Sequence, residues 1–160
     1  MKRFDLEEAV QLYGRRMFSY AWALLCDWHE AEDAVQDAFV SAWQHRDGFD
    51  GKNVSAWLYK ITRNTCLNRL REKKPLSLDD PDVAAPAVED KYDTGIRPAI
   101  IRALGQLDAG DRDIVLSRVM EEQSYSEIAS RLGVTEAAAR KRYERAKKRL
   151  AESLAGESEV

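Results

Sequence analysis

The stretch LSLDDPDVAAPAVEDKYDTG, residues 76–95, constrains the fold more than any other part of the chain. Two prolines, Pro81 and Pro86, many small residues and six acids against Lys91 leave it no periodic apolar face. A segment of this kind reads as an acidic, flexible linker. It cuts the chain into residues 1–75 and 96–155, each near the lower size at which a domain buries its own core. Its acids have two readings: plain solvation, or mimicry of nucleic acid inside a basic channel of a partner.

Both flanking stretches carry helical periodicity and no strand-like alternation. Asp5 and Glu8 mark a first helix start, and Leu6, Val10, Tyr13, Met17, Tyr20 and Leu24 recur at helical spacing as far as about Cys26. Asp27, with Glu30 three residues on, caps a second helix. One face of that helix gathers Ala31, Ala34, Val35, Ala38, Phe39, Ala42 and Trp43. The loop RDGFDGKN leads to a third helix over 54–74, which Pro75 ends. Beyond the linker, Ile100, Ala103, Leu104 and Leu107 define one helix. Asp108 and Asp111 start another with Ile114, Val115, Leu116 and Val119. Ser124 and Glu127 form a capping box for Ile128, Ala129 and Leu132, Gly133 breaks that helix, and Thr135 caps a last one running to about Leu154. The expected fold is all-α: two small helical bundles, the C-terminal one with a helix-turn-helix.

The chain is net acidic, with 25 Lys plus Arg against 28 Asp plus Glu. No apolar run approaches the roughly 20 residues that cross a bilayer, and MKRFDLEEAV turns acidic before a signal peptide could develop. A cytoplasmic protein is expected. Cys26 and Cys66 make no disulfide framework. Cys26 and His29 have a ligand-like spacing, but with His45 distant the set reads better as two buried thiols and two exposed histidines. No metal and no cofactor is expected.

Against this acidic background, residues 54–74 (VSAWLYKITRNTCLNRLREKK) are basic. On a helical wheel Val54, Trp57, Leu58, Ile61 and Thr65 gather on a core side. Lys60, Arg63, Asn64, Leu67, Arg71 and Lys74 form a stripe elsewhere, with Tyr59 at its edge. Such a stripe is either a solvated face or a match for phosphates, whose neutralisation releases counterions; an aromatic ring at its edge could stack on an exposed base. A second basic run, ARKRYERAKKR (139–149), favours nucleic acid. It lies behind YSEIASRLGVTEAAARKR, which fits a helix-turn-helix. Here Ile128, Leu132 and Val134 fill the interior, and Ala139, Tyr143, Ala146 and Leu150 face inward. Thr135 and Glu136 open the recognition helix, and Ala137, Arg140, Lys141, Glu144 and Lys148 face outward, the early positions nearest the bases. On the second helix Asp33, Gln36, Asp37 and Val40 form an acidic face away from the core. Solvation, a metal site and a protein-docking surface are its three readings.

AEDAVQDAFVSAWQ (31–44), AWLYKITRNTCLNRLR (56–71) and YSEIASRLGVTEAAARKRYERAKKRL (125–150) occur in the order seen in bacterial RNA polymerase sigma factors. The chain resembles the two-domain extracytoplasmic-function (ECF) class over nearly its whole length. The resemblance implies that Asp33, Gln36, Asp37, Phe39 and Val40 dock on the clamp helices of the polymerase largest subunit. It implies a minus-ten reader and melter in the third helix, with Lys60 and Arg63 on the backbone and Asn64 at a base, Tyr59 and Arg71 beside them. A specificity loop over 46–55 would capture a flipped base through Phe49, Asp50, Lys52 and Asn53, repaying the few kcal/mol that flipping costs. The C-terminal unit would read the minus-thirty-five element through Thr135, Glu136, Ala137, Arg140, Lys141, Glu144 and Lys148. Core RNA polymerase, promoter DNA and an anti-sigma factor are the implied partners. Two stretches depart from the family pattern. Val54-Ser55-Ala56 stand where a Phe and a basic residue often precede the Trp-Leu pair. Ala139-Arg140-Lys141-Arg142 stand where Val or Ile followed by Lys-Ser-Arg is common.

Two rivals make different demands. A stand-alone helix-turn-helix regulator would form a stable homodimer and bind a palindrome without polymerase. A metal-dependent helical enzyme would use Asp33, Asp37 and a histidine. Neither has a reason for the stripe from Lys60 to Lys74.

Overall fold

In the computed structural model, residues 4–72 and 94–158 are described; most of the 76–95 linker, together with Lys73, Lys74 and Pro75, lies outside them. The chain divides into two compact units, Met1–Ile96 and Arg97–Val160. All regular structure among the described residues is helical.

The first unit holds α1 (Leu6–Leu25), α2 (Trp28–Gln44), a 3₁₀ turn (Arg46–Gly48) and α3 (Val54–Glu72). The Asp5 carboxylate accepts from the Glu8 N–H at 3.1 Å, and Cys26 ends α1 in the left-handed region (φ 58°). Asp27 then caps α2 at once, accepting from the Glu30 N–H at 3.0 Å. A two-residue connection therefore folds α2 back on α1. The small residues Ala31, Ala34, Ala38 and Ala42 of α2 are buried, as are Met17, Phe18, Tyr20 and Leu24 of α1. Small against large is what lets close helices interdigitate. Trp28 meets Phe18 and Trp22 edge-on at 4.5 and 4.9 Å between centroids. From α3, Leu58, Thr62 and Cys66 complete this core. Both cysteines are buried and both histidines exposed.

The second unit holds α4 (Pro98–Gly105), α5 (Ala109–Val119), α6 (Tyr125–Leu132) and α7 (Glu136–Ser158). The expected caps are in place. Asp108 accepts from the Asp111 N–H at 2.8 Å, Ser124 and Glu127 cap reciprocally, and Gly133 is left-handed at φ 68°. Ile114, Ile128, Ala129 and Ala139 form a cluster with Tyr125, Leu132 and Tyr143 packed around it. Ala129 and Ala139 are small where α6 and α7 cross. A buried polar link ties α5 to α6: Arg131 donates to Asp113 and to the Ser117 hydroxyl, each at 2.8 Å.

Four positions read as interior are on the surface. Val10, Trp43, Val119 and Val134 are 44%, 42%, 62% and 45% exposed. Trp43 and Val119 lie in the last turns of α2 and α5, where the neighbouring helix no longer covers the apolar face. Val134 sits in the turn after Gly133, where its N–H donates to the Ala129 carbonyl at 3.1 Å and its side chain points away from the cluster.

Candidate nucleic-acid and protein interface

The third helix is rotated from the wheel inferred for it. Its buried residues are Leu58, Tyr59, Thr62, Arg63 and Cys66. The core face is thus turned by about one residue step, or 100°. The cause is the partner surface. Thr62 sits against α1, its hydroxyl donating to Met17 Sδ at 3.5 Å, and Cys66 is fully buried one turn on. Trp57 is instead drawn to the start of the helix, stacking on Phe49 at 4.9 Å and meeting Phe4 edge-on at 5.2 Å.

This rotation corrects two site residues. Tyr59 is only 4% exposed and packs edge-on against Tyr20 at 5.3 Å, so its ring is no platform for a base. Arg63 is 3% exposed and does not lie on the outer stripe. The exposed row that remains is Lys60, Asn64, Asn68 and Arg71, with Arg71 donating to the Asn68 side-chain oxygen at 2.6 Å. Asn68 was not singled out; spacing of four from Asn64 is the signal that finds it once the wheel is correctly phased. The outer face is therefore half amide and half cation.

The loop before α3 is built largely by the residues expected to capture a base. Asp50 accepts from the Lys52 N–H at 2.8 Å, and Asn53, left-handed at φ 41°, caps α3 by accepting from the Ala56 N–H at 3.1 Å. Phe49 is spent on Trp57 and closes the aromatic cluster. Lys52 alone of the four makes no such internal side-chain contact and is exposed. Beside this loop, Phe49, Gly51 and Asn53 share a cavity of about 460 Å³ with Phe4, Leu12 and Tyr13 of the N-terminal segment and α1. Arg16 of α1, also not singled out, reaches the α3 start, donating to the Ser55 hydroxyl at 3.4 Å.

Asp33, Gln36, Asp37 and Val40 do share one exposed face of α2, as expected. Phe39 does not: at 8% exposure it lies on the buried Ala31–Val35–Ala38–Ala42 seam. Trp43 joins the exposed face instead, with the Arg46 guanidinium 3.9 Å over its ring. Asp37 and Glu30 both pair with Arg69 of α3. Partial burial pulls the Arg69 pKa down, but the hydrogen bonds to Asp37 and Glu30 outweigh it and hold it above its ordinary value. Burial, opposed by Arg69, pushes the Cys66 thiol up to about 12. A metal reading of the acids has no geometry behind it: among the described residues no cluster of three or more His, Cys, Asp or Glu side chains is placed to hold an ion.

On α7, Glu136, Ala137, Arg140, Lys141, Glu144 and Lys148 are all exposed, while Ala139 and Ala146 are buried. Thr135 is exposed too and spends its hydroxyl oxygen on the Ala138 N–H at 3.0 Å. Not all the charge of this run faces out. Arg142 pairs with Asp111 at 2.8 Å and Arg149 with the same carboxylate at 3.8 Å.

Two separate surfaces thus carry exposed cations, one per unit; the first has amides in its row, and the first unit has an acidic face besides. Sigma-70 region 2 matches residues 9–75 and Sigma-70 region 4 matches residues 97–150. The ECF RNA polymerase sigma factor SigM of Mycobacterium tuberculosis is 30% identical over 95% of this chain and 78% of its own length. The chain belongs to the ECF RNA polymerase sigma factor family. The family member SigW of Bacillus subtilis is 27% identical over 92% of this chain and 87% of its own. SigG of M. tuberculosis is 27% identical over 93% of this chain, which spans about half (48%) of SigG. Among solved structures, the sigma factor RpoE of Bartonella quintana, in complex with the anti-sigma factor NepR, superposes with a TM-score of 0.72. It is 26% identical and covered to 95%. CnrH, in complex with the cytosolic domain of CnrY, gives a TM-score of 0.64 at 25% identity.

Proposed function

We propose that this ECF family member binds core RNA polymerase and directs it to promoters, opening the DNA while the polymerase does the chemistry. The observation that carries this is the pairing, on one chain, of region 2 with an exposed Lys60–Asn64–Asn68–Arg71 row and region 4 with an exposed recognition helix. Residues 1–75 form the polymerase-docking and minus-ten unit, 76–95 the linker, and 96–155 the minus-thirty-five unit. Lys60 and Arg71 hold phosphates and Asn64 and Asn68 meet base edges, since amides supply both donors and acceptors. The cavity beside Phe49, Gly51 and Asn53 receives the flipped base, with Lys52 at the strand. Arg140 and Lys141 contact the upstream element; Thr135, Glu136, Ala137, Glu144 and Lys148 flank them.

Asp33, Gln36, Asp37, Val40 and Trp43 form the polymerase-docking face: exposed apolar and aromatic side chains ringed by acid suit a specific protein contact. An anti-sigma factor competes for such surfaces. No described helix is long and apolar enough to cross a membrane, and we place the protein in the cytoplasm, at the nucleoid when polymerase-bound. A stand-alone dimeric regulator is disfavoured, because it needs no acidic docking face and no row on α3.

The test is capture of core RNA polymerase by the purified chain beside Asp33→Arg/Gln36→Arg. This pair spares Asp37, whose bond to Arg69 is structural. Capture by the wild type and its loss in the double variant supports the reading; equal capture by both removes the acidic face from it, and capture by neither removes the sigma function.

A further inference from the structure

Tyr125, the first residue of α6, is held from several sides. The Ser124–Glu127 capping box fixes the helix start, and the ring packs against the Ile114–Ile128–Ala129–Ala139 cluster. Tyr143 meets it at 6.0 Å. The Arg118 guanidinium lies 4.3 Å over its centroid and is itself anchored by donating to the Gln123 carbonyl at 2.7 Å. Over this immobilised ring, at 5.1 Å, lies the guanidinium of Arg140.

Two other arginines of α7, Arg142 and Arg149, offer a contrast. Arg142 donates to the Asp111 carboxylate at 2.8 Å and Arg149 pairs with the same carboxylate at 3.8 Å, so both have part of their charge offset. Among the described residues Arg140 has no carboxylate partner. An aromatic face attracts a guanidinium through its quadrupole and leaves the N–H edge open. An arginine so held keeps its full charge and the planar fork that pairs with the O6 and N7 acceptors of guanine. It also loses less rotamer freedom on binding.

We propose that Tyr125 is a positioning residue for promoter discrimination, aiming the Arg140 fork at a guanine edge of the upstream element without touching DNA. This rests on the assignment of Arg140 to that element. The test uses reconstituted holoenzyme and promoters in which each upstream base pair is varied in turn, with relative transcription as the readout. Arg140→Ala is expected to flatten preference at one base pair roughly tenfold. Tyr125→Leu is expected to weaken the same preference about two- to fivefold, and no other, because one exposed cation–π contact is lost. Tyr125→Phe, which keeps the ring, should retain it. In the Arg140→Ala background Tyr125→Leu should change nothing further.

Equal losses for Tyr125→Leu and Tyr125→Phe, a loss spread evenly over all base pairs, or additivity with Arg140→Ala would each overturn the proposal while leaving Arg140 a reader. If Arg140→Ala alone leaves every preference intact while the wild type stays promoter-dependent, the assignment of Arg140 falls, and Tyr125 with it. Should Tyr125→Leu fail to fold, a trifluorinated phenylalanine at 125 keeps the shape and removes the negative face. Its preference must then fall below that of Tyr125→Phe; equality overturns the proposal.

Discussion

The two basic helices of this protein look alike as text and differ as structure. In α3 the charge has been sorted by burial: Arg63 is inside, Arg69 is bonded to α2, and the outer row is left with Lys60 and Arg71 on either side of two asparagines. In α7 the charge has been sorted by pairing. Arg142 and Arg149 brace α5 through Asp111, while Arg140, Lys141, Arg145, Lys147 and Lys148 stay outside. The difference follows from packing. Helix α3 lies against two helices along its length, and its core face is chosen by what fits them. Helix α7 touches its neighbours along one narrow seam of Ala139, Tyr143, Ala146 and Leu150, so nearly every cation remains wet. A sparse polar row suits reading bases in an opened strand, and a dense cationic one suits gripping a duplex.

The sharpest way to break this contrast is Arg63→Ala beside Lys60→Ala. Truncating a buried, packed arginine removes a long stem from the interior, and a loss of about 3 kcal/mol is expected for Arg63→Ala in chemical denaturation. Lys60→Ala should leave the denaturation midpoint unchanged and slow open-complex formation. If the two variants exchange behaviours, the phase of α3 is wrong. Next in size is the pH response of Cys66, whose folded pKa of about 12 stands above its ordinary 9.0. Between those values the folded state keeps a proton that the unfolded state releases, so stability contributed by this group is full below pH 9 and falls as pH rises. The slope is at most about 1.4 kcal/mol per pH unit. The difference in stability between wild type and Cys66→Ala across that range measures it, and a flat difference would mean the thiol is not buried. In the second unit, Gly110→Ala on α5 sets a Cβ against the guanidinium of Arg142 on α7. The guanidinium must shift and strain its bond to Asp111, which offsets the gain of about 0.5–1 kcal/mol that Ala brings to a helix, so Gly110→Ala alone should change thermal stability little, whereas in an Arg142→Ala background it should stabilise by up to about 1 kcal/mol.

Much of this was legible in the sequence where the signal is local. Asp5, Asp27, Asp108, the Ser124–Glu127 box, Gly133 and Thr135 are each satisfied by a backbone group within a few residues, so composition and spacing suffice to find them. The seam of α7 was legible for a related reason: its inward residues are small or aromatic at strict helical spacing, with charge everywhere else. The phase of α3 was not. Its apolar residues, Val54, Trp57, Ile61 and Leu67, point more than one way, and the choice among them depends on Met17 and the alanines of α2, which are distant in sequence. Tyr59 and Arg63 fall on the buried side through that one ambiguity. Phe39 differs: the resemblance alone implies a docking role for it, while its helical period already places it on the buried face, where it lies at 8% exposure. Trp43 is the converse, an in-phase aromatic beyond the end of its neighbour.

The smallest expected effect separates two cations of the same helix. Lys148 lies about two turns past Arg140 on the same exposed face and has no aromatic partner among the described residues. A lone ammonium there is a point charge without the planar fork of a guanidinium, so it is expected to serve phosphate rather than discriminate between bases. Replacing Lys148 with Ala should weaken holoenzyme binding to every promoter variant alike and lower the slope of log affinity against log salt by about one. Arg140→Ala should change the slope no more than this, but change it together with preference at one base pair. Salt titrations of both variants on matched and mismatched upstream elements decide the matter: if Lys148→Ala also flattens preference, α7 reads DNA along its length, and the division between a narrow reading edge and a broad cationic grip does not hold.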